Sequence, residues 1–287
     1  MEAEQSQYER RVIVIGVGLI GGSIAAAVRK RFPDSEVVGI GRSEKRLQAA
    51  ADVGLLTSWA TTVSRELLSS SAVVVNCLPV HLIADNVIEV ASIASDDVLI
   101  TDAGSVKGVI CEQIDSDARA RELFVAAHPI AGGEQGGFEF ADADLFEDRV
   151  CVIVNSQDSD RTARAKTFWA GLGCRIMPMT ATEHDTKLAL TSHLPHVMAA
   201  VTTSVVGNDN LPLTGSGFRD ATRIAAGDAA LWRSILAGNR KCVVESIRSA
   251  EDALRKYRTL LEANDDQSVE ELLRLAAECR TQLNGDS

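Results

Sequence analysis

Short apolar runs and amphipathic stretches alternate along the first part of the chain. The run Val-Ile-Val-Ile after Arg11 ends at a glycine, the pattern of a parallel strand buried on both faces. Residues 20–30 follow with helical spacing, and Glu36-Val-Val-Gly-Ile40 reads as a second strand ending at Gly41. Further strands are expected at 72–78, 98–101, 124–128, 150–154 and 174–179, with helical stretches between most of them. Strand and helix alternating at this interval predict a parallel sheet wrapped by helices.

The pattern changes near Met179. Beyond Thr182 no strand is expected. Residues 183–206 read as one long helix and 231–262 as another. In the second, Leu236, Val243, Ile247, Ala250, Leu254, Tyr257 and Leu261 form a narrow, heptad-like seam suited to packing against another helix. Ser268-Val-Glu-Glu271 has the form of a capping box opening a last helix. The fold class is therefore an α/β Rossmann-type parallel-sheet domain over residues 1–179, followed by an all-α domain over 180–287. The seam predicts a homodimer joined through the helical part.

Composition narrows the functions. Hydrophobic residues make up 46% and charged residues 24%, ordinary for a globular chain, but aromatics are only 4%, so Ala, Val, Ile and Leu must build the core. A net charge of −11 argues against nucleic acid and anionic membrane as partners, because both require a positive footprint. The polar first eleven residues do not resemble a signal peptide, and no apolar run is long enough for a membrane span, so a cytoplasmic location is expected. Six scattered cysteines, none in a C-x-x-C pair, read as buried free thiols in a reducing compartment. No metal site is expected: His193 and His196 lack a third ligand nearby.

Gly16-Val-Gly18-Leu-Ile-Gly21 fits G-x-G-x-x-G directly after a strand and at the start of a helix. The first glycine suits a tight turn, the second a close backbone approach to a pyrophosphate, and the third a tight strand–helix contact. Gly16, Gly18, Leu19, Ile20 and Gly21 are thus candidates for binding NAD or NADP. An acidic residue closing the second strand would bond the ribose hydroxyls of NAD. Here Gly41 stands there, followed by Arg42 and Ser43, which favours NADP; Arg42 stacking on adenine would instead serve either cofactor. Leu78 and Pro79 close the next strand at the cofactor side, with His81 just beyond.

Three more motifs follow in order: Thr101-Asp-Ala-Gly-Ser-Val-Lys107, then Ala127-His-Pro-Ile-Ala-Gly-Gly-Glu134, then Glu183-His-Asp185 with Ser192-His-Leu-Pro-His196, Gly217-Phe-Arg-Asp-Ala-Thr-Arg-Ile224 and Trp232. With the glycine fingerprint, this series resembles the prephenate/arogenate dehydrogenases of tyrosine biosynthesis, from about Val12 to the last helices. The resemblance implies oxidative decarboxylation of a cyclohexadienol with hydride transfer to NAD(P). Such chemistry needs a base on the ring hydroxyl and cationic donors for two carboxylates.

His128 suits the base: a neutral imidazole at a strand end, expected to titrate near ~6.5. The resemblance implies that Ser105 orients it and touches the hydroxyl, although a serine there also suits a helix N-cap. Arg223 suits a substrate carboxylate because its planar fork binds bidentately, and Arg219 would face the same side; both also suit surface pairs with Asp220 or Asp228. His196 matches a substrate-binding position of the family. Glu134 would gate the pocket or pair with an arginine. Trp232, His193 and His184 carry less signal, and Trp232 also suits plain core. Two other readings remain open here: a β-hydroxyacid-type dehydrogenase, which would lean on Lys187, and a non-catalytic NADP-sensing regulator. Prephenate and arogenate are not distinguished; a carboxylate such as Glu134, Glu183 or Asp185 near the ammonium that arogenate carries would favour arogenate.

Overall fold

A computed structural model describes residues 11–68, 72–133, 135–154 and 159–282. Its first layer is a six-stranded parallel sheet built from β1 (Arg11–Ile15), β2 (Glu36–Ile40), β3 (Ser58–Ala60), β4 (Val73–Asn76), β5 (Leu99–Asp102) and β6 (Phe124–Val125), in spatial order β3-β2-β1-β4-β5-β6. That is the doubly wound order that binds dinucleotides where strand order reverses, beside β1 and β4.

The apolar runs explain the layering. Side chains alternate across a strand, so Val12 and Val14 enter one apolar cluster and Ile13 and Ile15 the other. The first face is covered by α1 (Leu19–Arg31) and α6 (Asp160–Gly171), with Ile24, Val28, Phe168 and Trp169 in the cluster. The second face is covered by α3 (Val80–Ile93), α4 (Gly108–Asp115) and α5 (Ala118–Leu123) through Ile83, Val87, Ile110, Ile114 and Leu123. Each such fully buried aliphatic side chain contributes about 1.5–3 kcal/mol relative to exposure. A short helix α2 (Glu44–Asp52) follows β2.

Three expectations are corrected on this side of the molecule. The run 124–128 is not one strand. It divides at Ala126 into β6 in the main sheet and β7 (Ala127–Pro129) in a second sheet. The stretches 150–154 and 174–179 belong to that second sheet, as β8 (Val150–Val154) and β9 (Arg175–Met179), with β7 antiparallel to β8. The short β3, with its mixed exposure, carried too little pattern to be foreseen. All six cysteines are free thiols, but only Cys151 and Cys174 are buried and Cys279 is exposed.

The helical part begins with α7 (Ala181–Leu188), opened by a full capping box in which Thr180 and Glu183 exchange hydrogen bonds. A π-helical turn over Ala189–His193 leads into α8 (Leu194–Asn210), so the expected continuous helix is interrupted. Pro195 supplies the reason: it lacks an N–H and crowds the preceding turn, which the wider turn accommodates. Next come α9 (Ser216–Thr222), a 3₁₀ turn at Arg223–Ala226, and α10 (Ala229–Gly238), which packs on α3.

The helix expected over 231–262 breaks at Asn239, which leaves helical geometry. Its Nδ2 donates 2.7 Å to the Asp185 carbonyl and sits 3.2 Å from His193 Nδ1, a tertiary use no local pattern shows. The heptad-like seam therefore crosses a break. The described residues up to Arg240 form one compact unit and those from Lys241 to Gln282 another. The second unit holds α11 (Arg240–Glu262), apart from its first residue, and α12 (Asp266–Gln282). Its last helix is capped by Asp265, whose carboxylate accepts from Ser268 N, and not by the Ser268 box. Among the described residues no helix is long and apolar enough to cross a membrane.

Candidate active site

The carboxyl edge of the parallel sheet gathers the turns after β1, β4 and β5. Gly16 has φ +92°, a left-handed conformation that favours glycine, and its N–H donates to Ile40 O at 2.9 Å. A Cβ on Gly21 would lie 2.2 Å from Gly16 O and 3.0 Å from Val14, so α1 closes on β1 only without a side chain there. At Gly18 a Cβ would meet no described protein atom within 4 Å, and no side chain caps the helix it opens. A glycine-lined approach to an uncapped helix N-terminus fits a pyrophosphate. Leu19 and Ile20 form the first turn of α1, partly exposed. Leu78 lies against Gly16 across the switch point, 3.3 Å from where its Cβ would be, and Pro79 opens α3.

Beyond β2, Gly41 is partly exposed and Arg42 and Ser43 are exposed. Ser43 also serves as the N-cap of α2, its hydroxyl accepting from Arg46 N. A Cβ on Gly41 would find Leu47 at 3.5 Å, an ordinary contact, so the absence of a side chain is not forced by packing.

The loop after β5 carries a buried ion pair. Lys107 and Asp102 both have side chains that are 0% exposed, and the Lys107 ammonium donates to the Asp102 carboxylate. Lys107 Nζ also donates to Ala127 O at 2.8 Å, while Asp102 accepts from Ala127 N and Gly104 N at 2.9 Å each. This clamp holds the residue preceding His128 against the end of β5. The loop beyond His128 returns to the glycine turn, where a Cβ on Gly133 would lie 3.7 Å from Leu19. Glu134 lies outside the described residues.

His128 is buried on β7. Its Nδ1 lies 2.8 Å from His184 Nε2, and His184 Nδ1 lies 2.8 Å from Asp185 Oδ1. Asp185 in turn accepts from the backbone N–H groups of Lys107 and Gly108, both at 2.8 Å. His128 is thus steadied by His184. The orienting contact expected from Ser105 is not made: that serine is partly exposed and has no hydrogen-bond partner among the described residues. Burial, then His184, Lys107 and His193, push the His128 pKa well below the ordinary histidine range, correcting the expected ~6.5. Burial also lowers His184, and His193 falls to about 4. Asp185 lies below the usual carboxylate range: burial would raise it, but the hydrogen bonds from His184, Lys107 N and Gly108 N prevail.

His196 stacks on Trp232, with ring centroids 3.5 Å apart and planes 12° from parallel, and its buried Nδ1 has no partner. Trp232 is also packed at the edge of the second apolar cluster, so its two readings coexist. The 3₁₀ turn starting at Arg223 packs on α8, which carries His196. Arg219 and Arg223 are both exposed, and Arg219 makes no side-chain hydrogen bond or ion pair among the described residues. Asp228 caps α10 by accepting from Leu231 N. His81 is exposed, 3.2 Å from Ser234 Oγ on α10.

Two family models match the chain. The prephenate dehydrogenase nucleotide-binding domain matches residues 24–178, and the prephenate dehydrogenase dimerization domain matches residues 180–276. The chain belongs to the prephenate dehydrogenase family. As a member it is a dehydrogenase that uses a nicotinamide dinucleotide. It is 30% identical over 284 residues to prephenate dehydrogenase of Bacillus subtilis, covering 96% of this chain and 76% of that one. It is also 30% identical to cyclohexadienyl dehydrogenase of Zymomonas mobilis, covering 96% and 97%. Among solved structures, prephenate dehydrogenase of A. aeolicus in complex with hydroxyphenyl propionate and NAD+ superposes with a TM-score of 0.89 at 26% identity, covering 97% of this chain and 99% of that one.

Asp102, Lys107, Asp185 and Asn239 have no clamping or positioning role assigned from sequence, where Asp185 stands only as a carboxylate that would favour arogenate. The first three lie inside quoted motifs, and charged residues within otherwise apolar, buried surroundings were the available signal. Asn239 carried none.

Proposed function

We propose that this prephenate dehydrogenase family member oxidises and decarboxylates prephenate or arogenate, with NADP preferred over NAD. The observation that carries the reading is the buried His128, clamped through Ala127 to the end of β5 and linked by its following loop to the glycine turn. The clamp and the loop thus tie a candidate base on the second sheet to a candidate dinucleotide cradle on the first, which supports the reading.

The bound dinucleotide supplies the hydride acceptor. Gly16, Gly18, Leu19, Ile20 and Gly21 would hold its pyrophosphate, with Leu78 and Pro79 alongside, and Arg42 and Ser43 its 2′-phosphate. His128 accepts the proton of the ring hydroxyl as the hydride departs from the same carbon. The bond to the ring carboxylate then breaks, its electrons complete the aromatic ring, and carbon dioxide leaves. The proton returns to the phenolic oxygen. Ser105 would reach the substrate hydroxyl. Arg223, assisted by Arg219, would pair with a substrate carboxylate. His196, whose Nδ1 is unpartnered, and Trp232 would complete the substrate wall, with Glu134 at its rim.

We further propose that residues 1–179 and 180–287 divide the work, nucleotide binding in the first, substrate contacts and a homodimer interface in the second. The spans of the two family models support this division. The protein would act in the cytoplasm. A β-hydroxyacid-type activity is disfavoured because Lys187, the lysine it would need, is exposed on α7.

Nicotinamide absorbance with prephenate and with arogenate, each with NAD and with NADP, tests the reading. Turnover of either cyclohexadienol supports it; none with any of the four pairs refutes it.

A further inference from the structure

His184 and Asp185 invite a question that the proposed chemistry leaves open: which nitrogen of His128 carries the proton. In a neutral imidazole one nitrogen donates and the other accepts, and the bond made by one decides the role of the other. Asp185 anchors the answer. Its Oδ1 accepts from Lys107 N and its Oδ2 from Gly108 N, both donors at the start of α4. A carboxylate held this way has only acceptors to offer, so the 2.8 Å contact with His184 requires the proton on His184 Nδ1. His184 Nε2 is then a lone pair. Its 2.8 Å contact with His128 requires the proton on His128 Nδ1. His128 Nε2 is left as the free base.

We infer that Asp185 and His184 are positioning residues that set the tautomer of His128, leaving Nε2 to take the substrate hydroxyl proton. This rests on the dehydrogenase reading for its kinetic part only. The charged and titratable groups around His128 are His184 on α7, Lys107 in the loop after β5 and His193 in the π turn. Lys107 is committed to Asp102 and Ala127 O, so it does not compete for a His128 nitrogen. When His128 takes the proton, its Nδ1–H already points at an acceptor backed by a carboxylate, so the imidazolium forms without rearrangement.

The test is nitrogen NMR of the full chain labelled with ¹⁵N-histidine. Only five histidines occur, and His128→Asn and His184→Phe assign the two signals. In the wild type, both His128 and His184 should show a protonated Nδ1 and an unprotonated Nε2. A protonated Nε2 on His128 overturns the inference, and needs no turnover to be seen. His184→Phe, which keeps a planar ring but removes the acceptor, should lower kcat by roughly 10²-fold or more, with KM for the dinucleotide little changed. His184→Gln, which offers an acceptor to His128 and a donor to Asp185, should recover at least about tenfold of that loss. Unchanged kcat in His184→Phe, or a His184→Gln no better than it, overturns the inference. If neither cyclohexadienol is turned over but the wild-type tautomers are as stated, the positioning pair stands and the substrate reading falls.

Discussion

Replacing Lys107 with methionine isolates the clamp beneath His128. The substitution keeps the length and apolar stem of the side chain and removes the ammonium. Asp102 then remains 0% exposed with two backbone N–H donors but no cation, and Ala127 O loses its donor. Removing one partner of a buried ion pair costs about 3–5 kcal/mol, because the other charge stays buried and uncompensated. The two surviving N–H bonds place the expected loss at the lower end, about 3 kcal/mol, still a large share of a typical total of about 5–15 kcal/mol. Urea unfolding followed by circular dichroism, at fixed protein concentration and without ligand, measures it as a shift of midpoint at similar slope. Lys107→Met combined with Asp102→Asn removes the stranded charge as well, so the double variant should lose at least about 1 kcal/mol less than the two single losses added together. A Lys107→Met protein within about 1 kcal/mol of wild type would refute the argument, since the uncompensated charge would then cost almost nothing.

Gly41→Asp, sterically admissible because the nearest atom to a new Cβ is 3.5 Å away, should reverse the NADP preference in kcat/KM; a wild type that already prefers NAD by a wide margin ends that idea. Arg223→Ala removes a carboxylate partner used in ground and transition states alike, so KM should rise more than kcat falls. His128→Asn should lose roughly 10²–10⁴-fold in kcat with dinucleotide affinity retained. The base must be neutral and its pKa is depressed, so the acid limb of kcat/KM due to His128 should lie below the usual histidine value; a limb at 6.5 or above contradicts the burial argument. The same depression acts on folding: His128, His184, His193 and His196 are all lowered, so the unfolded chain binds more protons below about 6.5. Stability is then full above that pH and declines as pH falls below it; equal urea midpoints at pH 7.5 and about 5 would contradict this.

Local demands were readable in the amino-acid order. Gly16 needs a positive φ and Gly21 a missing side chain, and both needs arise within a few residues of the strand that makes them. The apolar strands β1, β2, β4 and β5 were legible because burial on two faces leaves an unbroken aliphatic run. What escaped depends on distant partners. The division at Ala126 is invisible because no glycine or turn residue separates the halves, and only pairing with Cys151, Val152 and Ile153 draws Ala127–Pro129 into another sheet. Asn239 ends a helix for the sake of Asp185, 54 positions earlier, and His184 meets His128 across 56. In the last helix, Asp265 and Ser268 both have capping chemistry, and nothing in the local order says which of the two faces the first free N–H groups.

The π turn at Ala189–His193 acts as an angular setting on everything that follows it. Such a turn is equivalent to one residue added to an α-helix, and one residue corresponds to about 100° of rotation and 1.5 Å of advance. Closing that turn into α-helical geometry with the same residues would swing His196 about 100° around the axis, away from the face of Trp232, whereas deleting one residue from 189–192 would remove the bulge and leave the phase of α8 nearly as it is. The phase of α8, and with it the direction in which a whole row of side chains looks, thus depends on the wide turn absorbing one backbone unit, an effect no substitution at His196 itself could imitate.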